Sequence, residues 1–488
     1  MKLRELLKGC KVIDIIGDEE VDVKGIAYDS RKLVENSVFI CVQGFKVDGH
    51  NYIDRALENG AKVLIVEKKI EAISGVTIVR VENSRIALAY VSANFYNNPT
   101  KDMNLIGITG TNGKTTVAHL VKNILDVNGV ATGLIGTIAH KILNKEYKAS
   151  NTTPESTELQ YMFNEMLHAG VNSAVMEVSS HSLDLHRVDS ILYDIGVFTN
   201  LTKEHLDFHK TMENYKNAKS KLFYQTSLAN VINVDDQYGY EIAKDIKELE
   251  AKLITYGIKN EADIYARDIK ISTKGVRFKL VTPKFSGEIE IATPGMFSVY
   301  NALAAATVCY VLGYSFEQIK KGLESIKGVS GRFEVVKNTG EYTVIVDYSH
   351  TPDALENALN TIKEFSKAKI ITVFGCGGDR DKTKRPIMGE IAGKLSDYCI
   401  ITSDNPRSED PSQIIRDIEV GMKKTDCEYK SIENRREAIR KAIAVATSKD
   451  IVLIAGKGHE TYQILGDKTI DFDDRLVAME IVGEEVLS

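Results

Sequence analysis

Cysteine is scarce and unpatterned in this chain. Six residues among 488 (Cys10, Cys41, Cys309, Cys376, Cys399 and Cys427) include no Cys-x-x-Cys pair. That argues against a disulfide framework or a structural zinc site and suits a reducing, cytoplasmic setting. Proline, with 8 residues, is too rare for long Pro-rich linkers. Positive charge is not in excess: 62 Lys and Arg stand against 68 Asp and Glu, a formal net charge of −6. A generic nucleic-acid binder needs a dominant basic surface, so nucleic acid is not an expected partner. Long apolar runs are also missing. The longest weakly polar stretch, Ala302 to Gly313, is too short for a bilayer and reads as a buried helix, so no membrane insertion is expected. The N-terminal MKLRELLKGCKVIDII is broken by charges and lacks a small-residue cleavage site, unlike a signal peptide.

What is present is ordinary globular composition, 43% hydrophobic and 27% charged, over a length that suits about three domains. The pattern predicts an α/β protein in three blocks. Residues 1–100 form a smaller N-terminal α/β domain, with strands in SVFICVQG and KVLIVEKK and a helix ending at Gly60; NNPTKD (97–102) suits a linker. Residues 101–330 form a central domain whose apolar runs alternate with helices, as in a parallel sheet. Residues 331–488 repeat that rhythm in YTVIVDYSH, KIITVFGCGGDRD, DYCIITSDNPR and DIVLIAGKGHE, a Rossmann-like α/β domain. Thr351 and Pro352 mark the start of a helix. In such sheets ligands bind beyond the carboxyl ends of the strands, where the polar motifs collect in both later blocks. This predicts a cleft between domains.

The sharpest local motif is GITGTNGKTT (107–116), between an apolar strand and an amphipathic helix. Backbone amides over Thr109, Gly110, Thr111, Asn112 and Gly113 can cradle phosphate oxygens. Lys114 can neutralise phosphate charge, and the Thr115 hydroxyl can ligate Mg²⁺. The general pattern places glycine five positions before Gly113, where this chain has Ile108. A divalent ion needs further ligands, and Glu177 and His205 follow strand ends. Asp347, ending TVIVD, competes with Glu177 for the metal role, and the residues alone leave that contest open.

Taken together, TGTNGKTT, NTTP (151–154), MEVSSH (176–181), TNLTKEHLDFH (199–209), YKNAKSKLF (215–223), GRFE, DYSHTPDAL (347–355) and AGKGHE (455–460) resemble the Mur ligases, in order and over nearly the whole chain. DSR (29–31), GCGGDRDKTKRP and SDNPR narrow the resemblance to members that add the third stem residue of peptidoglycan precursors. The phosphate-loop departure is that family's own variant.

The resemblance implies a central ATPase domain and an ATP- and Mg²⁺-dependent amide ligase acting on UDP-MurNAc-L-Ala-D-Glu through an acyl phosphate. It maps Lys114, Thr115 and Glu177 onto one metal site and His205 onto a second. Lys219 maps onto a lysine that is carbamylated in these enzymes, and Lys382 onto a position near the transferring phosphate. Asn301 would lie near adenine, Arg332 at the ATP phosphates, and Asp347 and His350 at the nucleotide. Ser30, Asn151, Thr152, Thr153, Ser179 and Arg187 match contacts to the nucleotide-sugar substrate, with Phe45, Lys46 and Val47 as weaker matches on its uracil side. A cytoplasmic monomer in cell-wall synthesis is the implied setting.

SDNPR (403–407) bears on the incoming amino acid. Meso-diaminopimelate and L-lysine differ by one distal carboxylate, which a planar two-pronged cation recognises and an ammonium does not. Arg407 stands in the DNPR form that the resemblance associates with diaminopimelate. Arg380, Asp404, Asn405, Pro406, Gly456 and Glu460 match the rest of that pocket, with Asp404 and Glu460 taking the distal ammonium. The alternatives are an L-lysine-adding homologue, a folylpolyglutamate-synthetase-like ligase and a non-catalytic nucleotide switch. A helix start would also account for Asp, Asn and Pro in DNPR, though not for the arginine.

Overall fold

The computed structural model describes residues 1–44, 47–336 and 342–487, and side chains as far as residue 483. Phe45 and Lys46 lie outside the described residues. The chain divides into two compact units: Met1–Ile264 with Ala304–Ser315, and Tyr265–Leu303 with Phe316–Ser488.

The first unit contains two sheets. The N-terminal one has five strands in the order Val12–Ile16, Thr77–Val81, Ala61–Val66, Ser37–Ile40 and Gly25–Ala27. Its first pair is antiparallel and the others are parallel. NNPTKD is a packed turn and not an extended linker. Asn97 and Asn98 take the left-handed backbone (φ 60° and 54°), and Pro99 and Thr100 are buried. The helix Ser84–Phe95 then packs on the helix Ser156–His168, where Ser92 and Thr157 hydroxyls meet at 3.0 Å.

The second sheet of this unit runs Lys252–Gly257, Thr226–Asn233, Tyr193–Phe198, Asn104–Thr109, Ser173–Glu177 and Thr132–Ile135, all parallel. An antiparallel hairpin, Ala139–Ile142 and Lys145–Lys148, extends it. Strands covered on both faces are near-continuously apolar, and Ser173–Glu177 is buried at every residue, with Ala174, Val175 and Met176 between its polar ends. Strand order reverses around Asn104–Thr109, so the phosphate-loop motif leaves the sheet at its topological switch point.

The second unit, from Tyr265, opens within an antiparallel meander of Ile264–Ser272, Gly275–Val281 and Ser286–Ile291. Its period-two burial reads directly from GVRFKLV. Six strands then form a sheet in the order Glu334–Val336, Thr343–Asp347, Ile451–Ala455, Ile370–Phe374, Tyr398–Ile401 and Glu428–Ser431, parallel after the first pair. Thr351 caps the helix Pro352–Phe365 by accepting from the Ala354 amide. That helix buries Leu355, Ala358, Leu359 and Ile362, one stripe at three-and-four spacing. All six cysteines are free. Among the described residues no helix is long and apolar enough to cross a membrane.

Candidate active site

The strand Asn104–Thr109 runs into a tight loop, and the helix Lys114–Val127 follows with Gly113 (φ 87°) as its cap. Gly110 has φ 150°, and a Cβ there would lie 1.9 Å from Thr199 Oγ1, so only glycine fits. The loop is tied to the end of the neighbouring strand. The Thr111 amide donates to the Asn200 carbonyl (2.8 Å), the Asn112 amide to Asn200 Oδ1 (2.9 Å), and Thr199 Oγ1 to the Asn112 carbonyl (2.6 Å). Lys114 Nζ donates to the carbonyls of Gly110 and Thr111, both at 2.9 Å. Thr109 is fully buried and ends the strand.

Glu177, also fully buried, ends the adjacent strand. Its Oε2 accepts from Thr115 Oγ1 (2.9 Å) and Thr137 Oγ1 (3.0 Å), and its Oε1 from the Thr137 amide (2.8 Å). A carboxylate beside the phosphate-loop hydroxyl is the hard oxygen pair that Mg²⁺ prefers. Asp347, the competitor, is committed elsewhere: Oδ2 accepts from the Phe333 amide (2.7 Å), and Oδ1 from the Ser349 amide (3.0 Å) and hydroxyl.

Lys219 is brought to the same loop from 109 residues away, its Nζ donating to the Gly110 carbonyl at 2.8 Å. It is 1% exposed and lies over the Tyr215 ring at 4.7 Å. Burial, reinforced by the nearby Lys114 cation, pushes its ammonium well below the usual lysine range. His205, in the left-handed region (φ 56°), precedes the turn Leu206–His209 and packs its ring on Tyr215 (6.0 Å) and His181 (5.0 Å). Burial, then Lys114 and Lys219, lower its pKa. Among the described residues no group of three or more His, Cys, Asp or Glu side chains is placed to hold a metal.

The residues matched to the nucleotide-sugar substrate lie in the same unit. Thr153 Oγ1 donates to the Glu177 carbonyl (2.8 Å) and accepts from the Ser179 amide (3.1 Å); Thr152 meets Thr137 at 3.0 Å. Ser179 caps a short helix. Arg187 donates to the Thr153 carbonyl (3.1 Å) and pairs with Glu155 at 2.6 Å. Its cation is thus already matched by a carboxylate that sequence reading passed over. Ser30 is buried and lines a cavity of about 500 Å³ with Tyr28, Arg31, Val47, Arg85 and Glu155. Asn151 is exposed and lines an adjoining cavity of about 490 Å³, which shares Tyr28 and Glu155 with the first.

In the second unit the amino-acid residues collect at three adjacent strand ends. Gly456 and Glu460 follow Ile451–Ala455, Arg380 follows Ile370–Phe374, and Asp404 to Arg407 follow Tyr398–Ile401. Asn405 Nδ2 donates to Glu460 Oε2 at 2.9 Å, and Asn405 Oδ1 accepts from the Ile464 amide at 2.9 Å. Gly456 has φ 117°, and a Cβ there would sit 2.8 Å from Asp404 Oδ2. Arg407 takes φ 54° and donates through NH1 to the Gly378 carbonyl at 2.8 Å. Pro406 is buried, its carbonyl against Gly378. The next helix is Pro411–Met422, capped by Asp410, so SDNPR is a turn and not a helix start. Arg380 is exposed, and Lys382 pairs with Glu409 at 3.2 Å.

Arg332 stacks on the Tyr348 ring at 4.8 Å, and His350 Nδ1 lies 2.9 Å from the Tyr348 carbonyl. Asn301 is 6% exposed and sits inside the helix Met296–Val311, not at its cap. The sequence reading also missed Thr137, Asn200 and Lys457. Asn200 and Lys457 reach Asn112 and Asn405 across 88 and 52 positions, and Thr137 reaches Glu177 across 40 and Thr152 across 15; only Lys457 with Glu460, three apart, is a local pair.

The matching family models are the Mur ligase family catalytic domain over residues 22–96, the Mur ligase middle domain over 108–309, and the Mur ligase glutamate ligase domain over 331–458. A UDP-N-acetylmuramoyl-L-alanyl-D-glutamate–2,6-diaminopimelate ligase of Alkaliphilus oremlandii is 53% identical over 487 residues, covering 100% of both chains. The enzyme of the same name from Alkaliphilus metalliredigens is 50% identical over 487 residues, covering 100% of this chain and 99% of its own. A solved structure under that name aligns with TM-score 0.74 and 31% identity over 100% of this chain and 99% of that one. With the phosphate loop, its carboxylate and the strand-end pocket in place, the chain belongs to the Mur ligase family.

Proposed function

We propose that this protein is an ATP-dependent ligase that joins 2,6-diaminopimelate, in its meso form, to the D-glutamate carboxylate of UDP-MurNAc-L-Ala-D-Glu. The carrying observation is the pocket at the strand ends of the second unit, where Arg407 stands beside Asp404, Asn405, Gly456 and Glu460. Its distal ligands match a group that bears both an ammonium and a carboxylate. The full-length identity to ligases of that name supports the same reading.

A carboxylate at neutral pH is a poor electrophile. ATP transfers its γ-phosphoryl group to the D-glutamate carboxylate, and ADP leaves. The diaminopimelate amine attacks the acyl phosphate, loses a proton, and the tetrahedral intermediate expels phosphate to leave an amide. The protein must neutralise two anions and hold them in line. The phosphate-loop amides and Lys114 bind the β/γ-phosphates. Thr115 and Glu177 would hold Mg²⁺, which supplies charge neutralisation at the transferring group.

Lys219 serves as a carbamate in this reading. A buried, easily deprotonated amine is the form that adds CO₂ with loss of a proton, and the resulting anionic oxygens, with His205, would hold a second ion and supply charge neutralisation there. Arg332, Asp347, His350 and Asn301 serve the nucleotide, Lys382 the transferring phosphate, and Ser30, Asn151, Thr152, Thr153, Ser179 and Arg187 the nucleotide-sugar. The domains are taken as 1–100, 101–330 and 331–488, acting as a cytoplasmic monomer in peptidoglycan precursor synthesis. The test is phosphate release from ATP with UDP-MurNAc-L-Ala-D-Glu and meso-diaminopimelate, L-lysine or neither. Release with diaminopimelate alone is expected; equal release with lysine overturns the assignment.

A further inference from the structure

Lys457 is a lysine whose side chain is 0% exposed, in the turn that carries Gly456 and Glu460. Its Nζ lies 3.1 Å from Glu460 Oε2 and 3.3 Å from Asn405 Oδ1, and 5.5 Å from the centre of the Tyr462 ring. A lysine ammonium is almost never fully buried unless paired, so this one is retained for its partners. Those partners are two residues of the amino-acid pocket.

The arrangement fixes both. Asn405 Oδ1 accepts from Lys457 Nζ and the Ile464 amide, which sets the amide so that Nδ2 points to Glu460. Glu460 Oε2 then receives two donors, from Lys457 and Asn405, and among the described residues no donor is directed to Oε1. One carboxylate oxygen is held and the other is presented.

Charge decides the rest. Asp404 and Glu460 alone place two negative charges around the ligand's distal end. Lys457 cancels one of them, and Arg407 supplies one positive charge. With Arg380 exposed and donating to the Asp379 carbonyl, and Arg435 matched by Asp474, the four remaining groups sum to zero, which matches a distal end carrying one ammonium and one carboxylate. Without Lys457 the same pocket carries a net negative charge, which favours a side chain ending in an ammonium alone.

We infer that Lys457 is a positioning residue of the amino-acid pocket, which orients Glu460 and Asn405 and sets the pocket's charge to suit a zwitterionic distal group over a simple ammonium. The inference rests on the diaminopimelate reading above.

The test uses the full-length enzyme with Lys457→Met and Lys457→Gln, assayed by phosphate release with each substrate varied in turn. The expected result is a KM for meso-diaminopimelate raised about 10- to 100-fold, as loss of a buried charge-assisted hydrogen bond implies. KM for ATP and for the nucleotide-sugar should stay within about twofold, and the preference for diaminopimelate over L-lysine should fall by about tenfold. The Gln variant keeps a donor without the charge, so it should recover part of the KM but not the preference. Unchanged KM for diaminopimelate overturns the inference, as does a rise shared by all three substrates. If both variants fail to fold, Lys457 is structural and the inference is wrong. Failure of the underlying functional reading is separable, because the unaltered enzyme would then not use diaminopimelate.

Discussion

Replacing Arg407 by alanine removes the side chain proposed to pair directly with the distal carboxylate. One arm of its guanidinium is already anchored, NH1 to the Gly378 carbonyl at 2.8 Å, which leaves the other edge of the fork to meet a ligand. The backbone at φ 54° is as unfavourable for alanine as for arginine, so the exchange leaves that strain unchanged. Truncating one partner of a buried charge pair costs about 2–5 kcal/mol. That corresponds to a loss of about 30- to 4,000-fold in kcat/KM for meso-diaminopimelate. Arg407→Lys keeps a charge but loses the planar fork, and should fall between the alanine variant and the parent. The assay is phosphate release with diaminopimelate and, separately, L-lysine, which has no distal carboxylate to lose. An equal drop with both amino acids, or none with diaminopimelate, would refute the reasoning.

Three further outcomes follow from the geometry. Gly136→Ala puts a Cβ 2.4 Å from Glu177 Oε1, so Glu177 must shift; the Mg²⁺ concentration for half-maximal activity should rise about 10- to 100-fold, and an unchanged requirement would remove Glu177 from the metal site. Lys219 has a folded-state pKa below its ordinary 10.5, so between those values the unfolded chain binds more protons and stability rises with pH. In CO₂-free buffer Lys219→Met should abolish that rise, worth up to about 1.4 kcal/mol per pH unit, and melting curves from pH 7 upward that stay parallel to the parent's would contradict it. Asp474→Ala strands the buried Arg435, whose Nε and NH2 contact Asp474 at 2.8 and 2.7 Å, and should cost about 3–5 kcal/mol in denaturant unfolding. A loss below about 1 kcal/mol would show that Arg435 finds another partner.

Features local in sequence were legible and long-range ones were not. The phosphate loop, the Thr351 cap and the buried parallel strands each announce themselves within ten residues or so, because hydrogen bonding and periodicity act over that range. The meander from Ile264 to Ile291 also has a legible period-two pattern, but a reading set on parallel βα repeats passes over it. Thr137 on Glu177 and Glu155 on Arg187 could not be read at all, since 40 and 32 residues of chain separate partners with no shared periodicity. Lys219 shows both limits: it sits beside Lys216 and Lys221 like a solvated helix face, and only the fold reveals it as 1% exposed against the Gly110 carbonyl.

The bonds that Lys114 makes to the Gly110 and Thr111 carbonyls would give the proposed nucleotide capture the character of a ligand exchange. In the ligand-free chain the half-buried ammonium donates to carbonyl acceptors of its own loop. In the ATP site proposed above, binding would swap those carbonyls for phosphate oxygens, so the measured affinity would report a difference between two sets of bonds and not the full strength of either. A substitution that loosens the loop should therefore act first on the free enzyme, releasing the cation to solvent, and weaken ATP binding by making its empty partner more comfortable.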